Sequence, residues 1–190
     1  MYFCNIATMK KLGVIQESIG SFLLNMRTKN NREPKVYTYD NAKTMGILYD
    51  VVDKNTHLQV AEFAKLVQSL HGDIRVTMLG FLDNPDLQQA LPQTVKTDFY
   101  GVEDFSWSGK LQKGSAYDFI GTKYDILLDI TTQDSYPLLY VLMASVASYK
   151  VGRFVEEDMR YDLMIDTQED NSISNLITQI NVYLSKIKTK

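Results

Sequence analysis

The chain has 190 residues, 45% of them hydrophobic and 23% charged, which is the composition of a globular domain and excludes a disordered chain, a collagen-like repeat or a long coiled coil. A chain of this size buries roughly 70% of its unfolded surface without needing staples. Its one cysteine, Cys4, excludes an internal disulfide and a cysteine-rich zinc module, and two histidines, His57 and His71, leave little for a multi-histidine metal site.

The net charge of −3 averages two unlike parts. Residues 1–43 hold seven Lys/Arg against three Asp/Glu, or +4, and the remainder holds thirteen against twenty, or −7. Within the first part, Met9, Leu12, Ile15 or Gln16, Ile19 and Leu23 follow helical steps, so the spacing predicts an amphipathic arm over 8–25. Gly13 and Gly20 weaken it by up to about 1 kcal/mol each. The polar stretch MRTKNNREPK, closed by Pro34, reads as a linker. Gln16, Glu17 and Ser18 interrupt the arm's apolar residues, with Lys10 and Lys11 among them, so neither a secretory signal nor a bilayer span is expected. Cytoplasmic localisation follows as the expectation.

TMGILYDVV (44–52) is an apolar run with β-branched and aromatic residues, the pattern of a strand buried on both faces. Thr56 with Gln59 three residues later predicts a capping box opening a helix. Val60, Phe63, Ala64, Val67 and Leu70 should face the core, with Gly72 as a left-handed C-cap. RVTMLGFL (75–82) is a second buried strand, and the intervening crossover predicts a right-handed parallel pair. A short helix over 84–91, a short strand over 95–100 and a loop over 104–115 follow. YDILLDI (124–130) is a strand. Ser135 should cap an apolar helix with Pro137 in its first turn. Strands over 149–154 and 161–165 precede an amphipathic helix over 172–188. The alternation predicts an α/β fold: a three-layer, open, mostly parallel Rossmann-like sheet with helices on both faces, in one domain over 44–190 behind the basic arm and linker of 1–43.

The stretch KYDILLDITTQDSYPLLYVLMASVASYKVGRF carries Tyr124, Asp125, Asp129, the apolar helix Leu138–Ala147 and the strand ending Gly152–Phe154. In these features it resembles the N-terminal domain of heptosyltransferase-like glycosyltransferases. The resemblance implies a Rossmann-like half. Two departures accompany it. The glycine-aspartate loop that carries that family's catalytic base is replaced by Asp53-Lys54-Asn55-Thr56, and the chain has no room for a second, sugar-nucleotide domain. The order of basic arm, KTMGILYD, VTMLGFLD and YDILLDIT also resembles a family of unknown function from the Bacteroidetes, which implies a fold and a source but no activity.

In such a sheet ligands bind beyond the carboxyl ends of the strands, at the switch point. The residues there are Asp50 and Asp53, then Asp83 and Asn84, then Asp129, Thr131, Thr132 and Gln133. Asp53 with Asp129 is the pair that could orient a hydroxylated ligand or a hard cation, against the plainer reading that these acids cap helices. Asp129 lies inside an apolar strand and needs a partner. The hydroxyls of Thr131 and Thr132, or Arg153, are the expected ones. GxGxxG, GxxxxGK[ST] and GxSxG are absent, so no cofactor and no metal is expected. His57 and His71 read as surface residues at helix ends. The aromatic connection holding Phe99, Tyr100, Phe105, Trp107 and Tyr117 reads as a cluster folded over the sheet or as a partner patch.

An acidic body argues against nucleic acid, and membrane association is not expected. The sequence therefore points to a binding or interaction module, homodimeric through its arm, with an unidentified small-molecule ligand at Asp50, Asp53, Asp83, Asp129, Thr131, Thr132 or Arg153. The alternative is a remnant sugar- or nucleotide-handling enzyme.

Overall fold

A computed structural model describes residues 32–84, 86–91, 97–112, 114–156, 160–167 and 169–187. The predicted arm helix lies outside them. Six strands, β1 (Thr44–Asp50), β2 (Arg75–Phe81), β3 (Thr97–Tyr100), β4 (Ile126–Asp129), β5 (Tyr149–Arg153) and β6 (Leu163–Ile165), form one sheet in the order β3-β2-β1-β4-β5-β6. Every pairing is parallel, so the expected mostly parallel sheet is parallel throughout. The chain winds outward from β1 to β3, then returns to β4 on the other side of β1. The switch point thus lies between β1 and β4.

Strand alternation builds two cores. Met45, Ile47 and Tyr49 of β1, Val76 and Met78 of β2, and Ile126 and Leu128 of β4 turn to one face. There they meet Val60, Phe63, Ala64 and Val67 of α1 (Lys54–Leu70) and Leu176, Ile180 and Leu184 of α5 (Ile173–Lys186). The short α2 (Asp86–Ala90) contributes Leu87 to this face. Leu48, Leu79 and Leu127 turn the other way, against α3 (Ser115–Gly121) and α4 (Tyr136–Ala144). Strands covered on both sides read as continuous apolar runs, which is why β1, β2 and β4 are so plain in the sequence.

Several local expectations are corrected. Asp53, not Thr56, is the N-cap of α1: it is extended, and its carboxylate accepts the Thr56 N–H at 2.7 Å. Helical dihedrals begin at Lys54, and Thr56 is buried in the first turn. Gly72 is not left-handed; the His71 N–H closes the helix on the Val67 carbonyl at 2.8 Å, and the ring of His71 stacks on Tyr39. Leu70 is exposed, outside the buried stripe. Ser135 holds the N-cap position of α4, but its hydroxyl makes no cap bond and is buried without a partner. Helix α3 was not expected; Gly114 at φ +147° opens it, and Ala116 and Phe119 are its buried residues.

His57 is fully buried rather than on the surface, with its Nδ1 2.7 Å from the Tyr49 hydroxyl. The aromatic connection folds over the sheet as a cluster. Phe105 packs edge-on against Tyr140, and the Tyr136 hydroxyl donates to the Gly109 carbonyl at 2.6 Å. Through Phe105 this connection packs against Tyr136 and Tyr140 of α4. Trp107, at its tip, is 88% exposed.

The segment before β1 is packed in its described part. Tyr39 and Ala42 are core residues, and Arg32 makes a two-pronged pair with Asp162 at 2.7 and 2.9 Å. The domain's packed structure therefore begins ahead of Thr44. No helix among the described residues is long and apolar enough to cross a membrane.

Replacing Asp53 by Ala should cost about 1 kcal/mol through the lost cap. Urea unfolding of the two proteins measures it. No change would mean the N-terminal turn of α1 is held by its packing alone.

Candidate functional site

A cavity of about 320 Å³ opens at the switch point, lined by Asp50, Val52, Thr56, Ile130, Thr131, Thr132, Gln133 and Ile173. Four segments build it: the residues leaving β1, those leaving β4, and the first turns of α1 and α5. The Ser174 hydroxyl donates to Gln59 Oε1 at 3.0 Å, tying the first turn of α5 to the second turn of α1. A hydroxyl, amide and carboxyl lining with apolar walls suits an uncharged polar molecule with both donors and acceptors.

Of the strand-end residues singled out in the sequence, Asp50, Thr131, Thr132 and Gln133 come together here. Asp50 is half-buried, and its carboxyl is raised above the usual range, first by burial and then by the nearby charge of Asp83. Asp83 itself is exposed after β2. The others go elsewhere. Asp53 caps α1, its carboxyl held low by the Thr56 N–H.

Asp129 is buried, accepting from the Thr131 N–H at 3.1 Å and the Tyr161 hydroxyl at 2.8 Å. Thr131 is thus a partner as expected, through its side chain as well as its N–H, whereas Arg153 is not, and strand parity explains why. One step beyond the Leu128–Val151 pair, Asp129 lies beside Gly152, so Arg153 turns to the opposite face. Arg153 instead donates to Asp134 at 2.6 Å, an oxygen it shares with Arg160 at 2.9 Å. Burial raises the Asp129 carboxyl, while its two hydrogen bonds pull the other way. The sequence's pair of Asp53 and Asp129 is thus not assembled at this cavity.

Tyr161 and Ile173 carry no site signal of their own in the sequence, and Thr56 reads there only as a helix cap. The only signal for Tyr161 is Gly152: a Cβ there would overlap the Tyr161 ring, so glycine lets the ring cross the strand and reach Asp129. Among the described residues no three His, Cys, Asp or Glu side chains group as a metal site would need.

The fold and the strand-end cavity define an open, Rossmann-like α/β domain with a switch-point pocket. The chain belongs to a family of unknown function, DUF6913, whose profile matches residues 15–187. No curated protein matches it. Among solved structures it is similar to "E. coli heptosyltransferase WaaC with ADP", with 8% identity and a TM-score of 0.52 over 77% of this chain and 48% of that one. It therefore spans about half the length of that structure, and the likeness is one of fold. The resemblance read from residues 124–154 agrees with it at that level.

Proposed function

We propose that this chain is a non-catalytic binding module that takes a small hydroxylated molecule in the switch-point cavity. The observation that carries this reading is the lining of that cavity: Asp50, Thr56, Thr131, Thr132 and Gln133 offer hydroxyl, amide and carboxyl groups at the place where open α/β sheets hold ligands. Asp53 and Asp129, which a catalytic pair would need, are engaged in a helix cap and a buried hydrogen bond.

The test is a thermal-shift panel of monosaccharides and nucleosides on the full chain, repeated on the Asp50→Asn, Thr132→Val double variant. A ligand at a hundred times its Kd should add about 2.7 kcal/mol of stability, and the double variant should weaken its binding at least tenfold. A flat panel, or a shift the variant keeps in full, would sink the proposal.

A second reading, a remnant sugar-handling enzyme, draws on the WaaC-like fold and on the raised carboxyl of Asp50, which suits a general base. Product formation from a sugar nucleotide, abolished by Asp50→Asn while binding persists, would favour it over the binding module.

A further inference from the structure

A second, larger cavity of about 500 Å³ lies at the carboxyl ends of β5 and β6, lined by Arg153, Phe154, Val155, Glu156, Thr167 and Asn171. It adjoins the first. The Asn171 side-chain amide donates to the Thr132 carbonyl at 3.4 Å, so Asn171 stands in one lining and touches the wall of the other. Its Oδ1 in turn accepts from the Thr167 hydroxyl at 3.3 Å.

The chemistry of this second lining is specific. Charge is balanced across it: Arg153 carries a guanidinium and Glu156 an exposed carboxylate, so neither a strong anion nor a strong cation is favoured. The other polar groups, Thr167 and Asn171, are neutral donors and acceptors. Phe154 keeps 42% of its surface exposed, an aromatic face on an otherwise polar wall. The Nη2 of Arg153 is committed to Asp134 at 2.6 Å, so its guanidinium is a fixed wall of the cavity. Planar bidentate side chains around an exposed ring, with no net charge, match the alternating hydroxyls and apolar C–H faces of a sugar.

We propose that the two cavities form one groove for a neutral glycoside, with a first ring at Thr131 and Thr132 and a second ring against Phe154, between Arg153, Glu156 and Asn171. This rests on the binding reading of the switch-point cavity and extends it from one sugar unit to two.

The experiment is amide chemical-shift mapping on the full isotope-labelled chain, titrated with glucose, galactose and mannose, then with maltose, lactose and cellobiose. The expected result is that a monosaccharide shifts the amides of Thr131–Gln133, and that a disaccharide shifts these together with Phe154, Glu156 and Asn171 and binds about tenfold tighter. Phe154→Ala should return the disaccharide to the monosaccharide's affinity while leaving the shifts at Thr131–Gln133 in place. A disaccharide that binds no tighter than its monosaccharide, or that leaves Phe154 and Asn171 unshifted, overturns the second ring position and leaves the first cavity's reading standing. Shifts confined to Phe154 and Asn171 overturn the switch-point reading and the two-ring groove together. The absence of any shift overturns both.

Discussion

Gly152→Ala is expected to destabilise the domain by about 3 kcal/mol or more. The added Cβ would meet the Tyr161 ring, and overpacking of this kind alone costs about 1–3 kcal/mol. Moving the ring also withdraws the hydroxyl that Asp129 accepts from at 2.8 Å, and a buried acceptor left unmatched adds about 1–3 kcal/mol. Tyr161→Phe separates the two effects, since it keeps the ring and removes only the donor; it should cost about 1–2 kcal/mol. Its pH dependence follows from Asp129. Burial raises that carboxyl in the folded state, so the native protein binds the extra proton and stability falls as pH rises from the unfolded value through the folded one. Losing the Tyr161 donor raises the carboxyl further, so Tyr161→Phe should be more destabilising at pH 8 than at pH 5. Urea unfolding at the two pH values measures this. An equal loss at both would show that Asp129 does not feel the Tyr161 hydroxyl.

Lys150→Met should stabilise the domain, and most strongly in acid. Lys150 is buried on β5, with its ammonium donating to the Leu142 carbonyl at 2.6 Å. Burial, helped by the charge of Arg32 and opposed by Asp162, pushes its pKa down to about 7. An unfolded lysine titrates near about 10.4. Between those values the unfolded chain holds a proton that the native state has released, so wild-type stability rises with pH across that window. Below about pH 7 both states are protonated and the burial penalty is present in full. Removing the amine should therefore add on the order of 4 kcal/mol there, less about 1 kcal/mol for the Leu142 carbonyl left behind. The gain should vanish by about pH 10. Melting temperatures of both proteins at pH 6 and pH 10 test this; a pH-independent difference would rule out a depressed Lys150.

The parts of this molecule legible in its sequence are those governed by local pattern. The runs that became β1, β2 and β4 announce strands covered on both faces, and the crossover between the first two announces their parallel pairing. The strand-end rule then led to Asp50, Thr131 and Thr132. What escaped depends on which strand lies beside which. Adjoining strands suggest Arg153 as the partner of Asp129, but a single step of register puts Gly152 there and sends Arg153 to the other face. His57 looked like a surface residue at a helix start because its partner, the Tyr49 hydroxyl, belongs to the strand beneath. Helix α3 was hidden by its length, seven residues from Ser115 to Gly121, too few to display a period. Ile173 entered the cavity only because α5 returns to lie beside α1, a placement no local pattern encodes.

The link between Ser174 and Gln59 joins side chains 115 residues apart, and the wall it fixes is supplied by the last helix of the sheet's far half. A growing chain that has already formed β1, α1 and β4 would hold most of the pocket's lining and still lack one side of it. On the proposed binding reading, ligand capture would require α5 to have docked. Occupancy of the pocket would then report that α5 is in place, and a bound ligand would hold the two halves of the winding together against local opening.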